Sequence, residues 1–436
     1  MTQGTTWGVT RGVILASVAT LVLGCEPGRE EGAGPVTVTF SASEVGREAQ
    51  LLRAQLARFM RDRPDVRVVI RSTPDAADQR HQLYVQWLNA RVGEPDILQL
   101  DVIWTPEFAA AGWILPLAPA ADDEADFFPA TLAAHRWNGR LHALPWFVDV
   151  GMLYWRTDLL ERAPETLDEL ARMAAAARGP TVPYGFVWQG ARYEGLVTVF
   201  LEVLGAHGGR ILDAEGAVAV ARDPAVRALR FLRRAIHERG IVPTDVLGWQ
   251  EEQTRFAFQN GQAVFMRNWP YAYPLMEAEG SRVAGRFAVA PMPAGPEGEP
   301  TAALGGAGLA VNARSRHPEA ARAVIGYLTR PEQMLERAEV LGHYPPRASL
   351  YADSRLAVAL PIPPAAAAEI LERALPRPAI PVYSELSGIL QLWLHRALTG
   401  QSEPADALAR AAEDIRRLLE RAELTPPTED AAAGSE

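Results

Sequence analysis

Acidic, amide, guanidinium and large aromatic side chains fall together in short segments of this 436-residue chain. The clearest are Asp101-Val102-Ile103-Trp104, Gly185-Phe186-Val187-Trp188-Gln189-Gly190 and Arg267-Asn268-Trp269-Pro270-Tyr271. Carboxylates and guanidinium groups make charge-assisted hydrogen bonds to adjacent hydroxyls, and flat rings bury the C–H faces of a pyranose. The mixture suits recognition of a polyhydroxylated ligand, although for any single tryptophan a place in the core is the plainer reading.

Other chemistries are excluded by what is missing. All 43 basic side chains are arginine, so a P-loop lysine, a Schiff-base lysine and a lysine general base are impossible. Cys25 is the one cysteine, which rules out internal disulfides, a cysteine-rich zinc site and a CxxC redox pair. The eight histidines show no HExxH spacing, so no metal site is expected. No GxSxG elbow appears. Gly305-Gly306-Ala307-Gly308 lacks the spacing of a dinucleotide fingerprint and leads into an apolar strand, Leu309 to Val311, where that motif needs a helix. No cofactor is expected. The net charge of -10 argues against a nucleic-acid partner, which would call for a basic face.

The elements that must hold these residues alternate. Val36 to Phe40 reads as a strand, followed by a helix with Leu52, Leu56 and Phe59 on one stripe that ends before Pro64. Val66 to Ile70 is a second strand, Tyr84, Trp87 and Leu88 mark a second helix that stops at Gly93, and Ile97 to Leu100 is a third strand ending on Asp101. Such alternation implies an α/β fold with mainly parallel sheets, whose ligands gather at the carboxyl ends of the strands. Leu141 to Asp149 reads as an extended crossing between two lobes, and Phe287 to Thr301 as the return. Thr166 carries a capping-box pattern with Glu169, Asp223-Pro224 supply an N-cap and first position, and Gly240 closes that helix. Further helices are expected at Pro318 to Thr329, Ser384 to Leu398 and Pro404 to Arg421.

The amino terminus has Arg11, a short apolar run from Gly12 to Leu23, and Gly24-Cys25. The run is shorter than the roughly 20 residues of a membrane span and reads as a secretory signal. Leu21-Val22-Leu23-Gly24-Cys25 resembles a bacterial lipobox, which implies cleavage before Cys25 and its lipidation. The Gly/Pro-rich residues from Glu26 to Pro35 read as a tether. The protein is therefore expected outside the cytoplasm, anchored by lipid alone to the cell envelope.

From Val36 to about Arg421 the chain closely resembles the extracellular solute-binding lipoproteins of sugar ABC transporters, in the maltose-binding-protein-like branch that binds trehalose and maltose. The resemblance is carried by Asp78-Gln79-Arg80, Asp101-Val102-Ile103-Trp104, Gly112-Trp113, Leu144-Pro145, Asp149, Phe186 to Gly190, Tyr193-Glu194-Gly195, Arg267 to Tyr271, Leu304-Gly305-Gly306 and Pro376-Arg377-Pro378. It implies a two-lobed periplasmic-binding-protein-like fold, each lobe a mainly parallel sheet flanked by helices, the two joined by a hinge. The expected division is a signal peptide at 1–24, a tether at 25–35, one lobe from 36–145 plus about 300–350, the other from 146–299 plus about 351–422, and a disordered tail at 423–436.

By the same resemblance, Glu48, Arg80 and Asp101 would bind hydroxyls of one sugar ring from the first lobe, and Asp149 would bind hydroxyls from the other. Trp269 and Tyr271 would stack, with one phenolic hydrogen bond. The Gly306 amide would donate, and Arg377, held between two prolines, would reach in from the carboxy-terminal region. Trp104, Trp188, Tyr193, Glu194 and Gly305 would stand behind these residues. Three ligand-side positions depart from the family's pattern: Asp75 replaces a threonine, Phe147 a tyrosine and Ala307 a tryptophan. Loss of that ring and that hydroxyl implies a larger or reshaped second subsite.

The implied activity is capture of an α-linked disaccharide or short oligosaccharide and delivery to permease subunits, by a monomer without catalysis. A sugar conjugate or polyol is the alternative ligand. A glycoside hydrolase using Glu48, Asp101 and Asp149 is a remote alternative, because it needs a carboxylate pair about 5 or about 6.5–9.5 Å apart with one member protonated.

Overall fold

The computed structural model describes residues 34–43, 46–74, 77–296 and 298–424. Residues 1–24, expected to be a signal peptide, and Cys25, Asp75 and the tail from Thr425 lie outside the described residues.

Two sheets are built from nine strands: β1 (Val36–Ser43), β2 (Val66–Thr73), β3 (Ile97–Asp101), β4 (Leu144–Val150), β5 (Met152–Arg156), β6 (Tyr184–Val187), β7 (Ala263–Asn268), β8 (Phe287–Pro291) and β9 (Leu304–Val311). The first runs in the order β2-β1-β3-β9-β4 and the second β8-β5-β7-β6. The helices that support the site are α1 (Gly46–Asp62), α2 (Ala77–Asn89), α3 (Leu167–Ala177), α4 (Glu194–Ala206), α5 (Asp223–His237), α6 (Glu251–Gln259), α7 (Pro318–Leu328), α8 (Pro331–Leu341), α9 (Tyr383–Leu398) and α10 (Pro404–Arg421).

Alternation and stripes explain the first lobe. Val38, Phe40 and Ala42 of β1 point inward together with Leu52, Leu56 and Phe59 of α1, and all are buried. β3 is central and buried along Ile97 to Leu100, so only its last residue, Asp101, emerges toward solvent. In the second lobe α9 packs on α4 and α5, with α10 against α5 and α9. Glu423 and Leu424 close the last helix through amides bonded to Glu420 and Leu419.

The strand directions correct the expectation of mainly parallel sheets. β1 is parallel to β2 and β3, and β6 to β7. β9 is antiparallel to both β3 and β4, and β5 to both β7 and β8. The reason is the connectivity between sheets. β4 is itself a strand of the first sheet and passes through Gly151 directly into β5 of the second, and β9 returns after β8. Strands that arrive by such crossings enter against the direction set by the βαβ units. The first crossing therefore lies at Gly151, several residues beyond the expected boundary at 145, and Leu141 to Asp149 is mostly strand.

Two caps differ in detail. Thr166 Oγ1 accepts from the Glu169 amide at 3.1 Å, but Glu169 returns its carboxylate to the Glu165 amide, at 2.8 Å. Arg222, without a side-chain cap, precedes α5, and Asp223 is its first residue, where its negative charge suits the helix dipole.

Candidate functional site: a polar and aromatic cleft between the lobes

A cavity of about 280 Å³ opens where the carboxyl end of β3 and the strands β4 and β9 face α4 and the segment after β7. Its wall holds Glu48, Arg80, Asp101, Phe147, Asp149, Trp269, Tyr271, Gly306, Ala307 and Arg377. The structure thus brings together every described residue expected to face the ligand. Of those expected behind them, Tyr193, Glu194 and Gly305 also reach the wall. Trp104 and Trp188 do not. Trp104 lies behind the wall: it is buried, with its ring beside those of His81, Tyr84 and Phe108 and the guanidinium of the wall residue Arg80 5.3 Å from its centroid. Trp188, by contrast, is fully buried in the core.

Asp149 lies on β4, opposite Gly305 of β9. It belongs to the first sheet and not to the other lobe, because the crossing at Gly151 comes after it. Among the described residues its buried Oδ1 meets no hydrogen-bond donor. Burial first, then the negative charges of Glu48 and Asp101, push its pKa up to about 7. A carboxylate oxygen so placed gains stability from any donor that enters the cavity.

Glu48, Asp101 and Glu194 each have an arginine partner. Arg377 is buried, and its Nη1 donates to Glu194 Oε1 at 2.7 Å. Its Nη2 donates to Asp101 Oδ1 at 3.4 Å and to the Leu304 carbonyl at 3.2 Å. Burial opposes its charge, but Asp101 and Glu194 outweigh burial and raise its pKa. Glu194 is held in turn by the hydroxyls of Tyr383, at 2.7 Å, and Ser387. Arg377 therefore joins two cavity carboxylates, in addition to the reach into the cavity that the resemblance implied. It is placed by backbone pairing of Leu375 with Ala302 and Leu304 beside the second crossing. On the far wall Arg337, buried behind the cavity, donates from Nη2 to Glu48 Oε1 at 2.8 Å.

The aromatic wall also rests on charge. The Arg267 guanidinium stacks 3.8 Å from the Trp269 ring. It is fully buried, bonded through Nε to Glu202 Oε2 at 2.8 Å, through Nη2 to Glu202 Oε1, and through Nη1 to Gln189 Oε1 at 3.0 Å. The Tyr271 hydroxyl donates to Glu252 Oε1 at 2.8 Å, so toward a ligand it acts as an acceptor and a ring. Gly306 has φ +113°, and a Cβ there would meet the Phe147 carbonyl at 2.3 Å, so glycine is required where β9 approaches β4.

Several wall residues escaped the sequence reading: Ala77, Gln99, Gly195, Thr198, Gln250, Glu251 and His343. Gln99 could have been found, since it lies two residues before Asp101 on one strand face. Thr198 follows Glu194 by one helical turn. His343 gave no signal. It enters because Gly342, left-handed at φ 72°, ends α8 and turns the chain back into the cleft. Among the described residues no group of three or more His, Cys, Asp or Glu could hold a metal ion.

Two α/β lobes around a cleft with this lining define a receptor of the periplasmic-binding-protein type. The chain matches the family model described as bacterial extracellular solute-binding protein over residues 42–335, and it belongs to that family. It is 35% identical over 401 residues to a probable ABC transporter-binding protein of Deinococcus radiodurans, covering 88% of this chain and 94% of that one. The structure of maltose-bound T. maritima MalE3 superposes with a TM-score of 0.83 at 41% identity, covering 88% of this chain and all of the other. The GacH receptor of Streptomyces glaucescens, solved unliganded and with acarbose, gives 0.80 at 27% identity, covering 88% of this chain and 99% of its own.

Proposed function

We propose that this protein is the solute-binding component of an ABC sugar importer. It captures an α-linked disaccharide or short oligosaccharide of the trehalose or maltose kind between its lobes and delivers it to a membrane permease. The observation that carries the reading is Asp149: a carboxylate on the cleft wall whose buried Oδ1 lacks a donor among the described residues, in a cavity also lined by the Trp269 ring, which supplies a stacking face. Sugars bring hydroxyl donors and C–H faces together. The relatives that bind maltose and acarbose, and the arabinooligosaccharide-binding protein of Bacillus subtilis at 25% identity, support the class of ligand. The lobe division and the envelope location, with lipid on Cys25, belong to the same proposal.

A raised carboxyl beside two charged ones is also the electrostatics of a glycosidase acid. The family is one of binding proteins, however, and both neighbours, Glu48 and Asp101, are tied to arginines. Thermal melts against maltose, trehalose, longer glucosides and polyols test the reading, since a ligand at 100 times its Kd stabilises the native state by about 2.7 kcal/mol. A rise with an α-glucoside is expected. A rise with polyols alone would replace the ligand, and no rise with any compound would overturn the sugar assignment.

A further inference from the structure

The corner of the cavity bounded by Phe147 and Ala307 is made of cross-strand partners, since these two residues face each other between β4 and β9. Neither brings a polar side-chain atom. His343 fills that gap. Its ring lies parallel to Phe147, with centroids 4.1 Å apart and planes 18° from parallel, and it lines the same cavity. Behind it, Arg337 Nη2 lies 3.2 Å from His343 Nδ1. A guanidinium can only donate, so Nδ1 accepts. Burial first, and then the positive charge of Arg337, hold the imidazole neutral, far below its ordinary pKa. A neutral ring that accepts at Nδ1 carries its hydrogen at Nε2.

Arg337 is itself fixed by its bond to Glu48 and by the Trp146 ring 3.8 Å from its guanidinium. The chain Glu48, Arg337, His343, Phe147 thus sets both the tilt and the tautomer of one ring on the cavity wall. We propose that His343 is a ligand-binding residue, its Nε2–H donating to a hydroxyl of the sugar unit seated over Phe147 and Ala307. Arg337 is its positioning residue. This rests on the reading of the cavity as a sugar site.

Calorimetric titration of the full chain with maltose and maltotriose tests it, using His343→Phe, which keeps the ring stack and removes the donor, and His343→Gln, which keeps a donor. His343→Phe should weaken binding about tenfold, as loss of a hydrogen bond in a dry site does, while the melting point of the sugar-free protein falls only modestly, for the Arg337 contact that is lost with the ring nitrogen. His343→Gln should stay within about threefold. Histidine ring ¹⁵N spectra, with the signal assigned by its loss in His343→Phe, should show the Nε2–H tautomer and a shift on adding sugar. Unchanged affinity in His343→Phe, or a ring signal indifferent to sugar, would overturn this inference and leave the sugar site standing. A wild-type protein that binds neither sugar, nor any other α-glucoside, would overturn both.

Discussion

Asp149 holds its proton in the folded chain up to about pH 7, whereas an unfolded aspartate gives it up near about 3.9. Between those values the native state binds more protons than the unfolded one. The stabilisation from the protonated form is therefore full below the lower value and is lost as pH rises through about 7. Sugar hydroxyls donate to the ionised carboxylate, so binding favours that form. Affinity should then rise with pH from 5 and level off above about 7, with proton release visible when calorimetry is repeated in buffers of different ionisation enthalpy. Asp149→Asn should flatten both pH dependences; a slope that persists in the variant would assign it to another group. Residues at this scale were legible where type and place coincided, as with Asp101 at a strand end or Trp269 beside charged neighbours. The partners were not legible. Nothing in Pro376-Arg377-Pro378 tells that Arg377 spans Asp101 and Glu194, because those contacts are set by chain crossings distant in sequence. His343 was invisible for the same reason.

At the scale of elements, the Glu202–Arg267 pair links α4 to β7 and supports the Trp269 ring. Ala303, at the second crossing, donates its amide to Glu202 Oε1 at 3.3 Å. Gly151, at the first crossing, leaves room for the same carboxylate: a Cβ there would fall 1.7 Å from Glu202 Oε1. Arg267→Met should cost about 3–5 kcal/mol by stranding a buried carboxylate. Glu202→Leu together with Arg267→Met should recover much of that loss in urea titration. Gly151→Ala should displace the pair and lower both stability and sugar affinity, whereas Thr166→Ala should cost only about 1 kcal/mol, the value of a helix cap. Helices with one apolar stripe, such as α1 and α10, were readable from sequence. α4 was not, because it is buried on nearly every side and its Val- and Leu-rich run carries no helical period. β7, buried along its whole length, lacks alternation for the same reason. The antiparallel direction of β5 and β9 was not legible because it depends on where the chain crosses between sheets, which periodicity does not record.

For the molecule as a whole, two sheets joined at Gly151 and before β9 leave a cleft whose walls carry complementary parts of one site. A sugar can close the lobes only through contacts it makes better in the closed form than in the open one. Adding maltose or trehalose should therefore reduce the radius of gyration in small-angle scattering, and Asp149→Asn should need more sugar for the same change. The all-arginine cation set suits this arrangement. Arg267, Arg337 and Arg377 each hold a carboxylate while buried, and two of them also lie against aromatic rings, uses for which a planar, permanently charged group is suited. At the amino terminus, Cys25→Ser should move the protein from the membrane fraction to the soluble one. The most direct measurement is calorimetric titration of the wild type and Asp149→Asn with α-linked disaccharides at pH 7.5. The wild type should bind one equivalent of at least one of them, and Asp149→Asn should bind it about 10- to 100-fold more weakly, the loss of a charge-assisted hydrogen bond. Equal affinity in the two proteins, or no binding by the wild type, would contradict the assignment of this cleft.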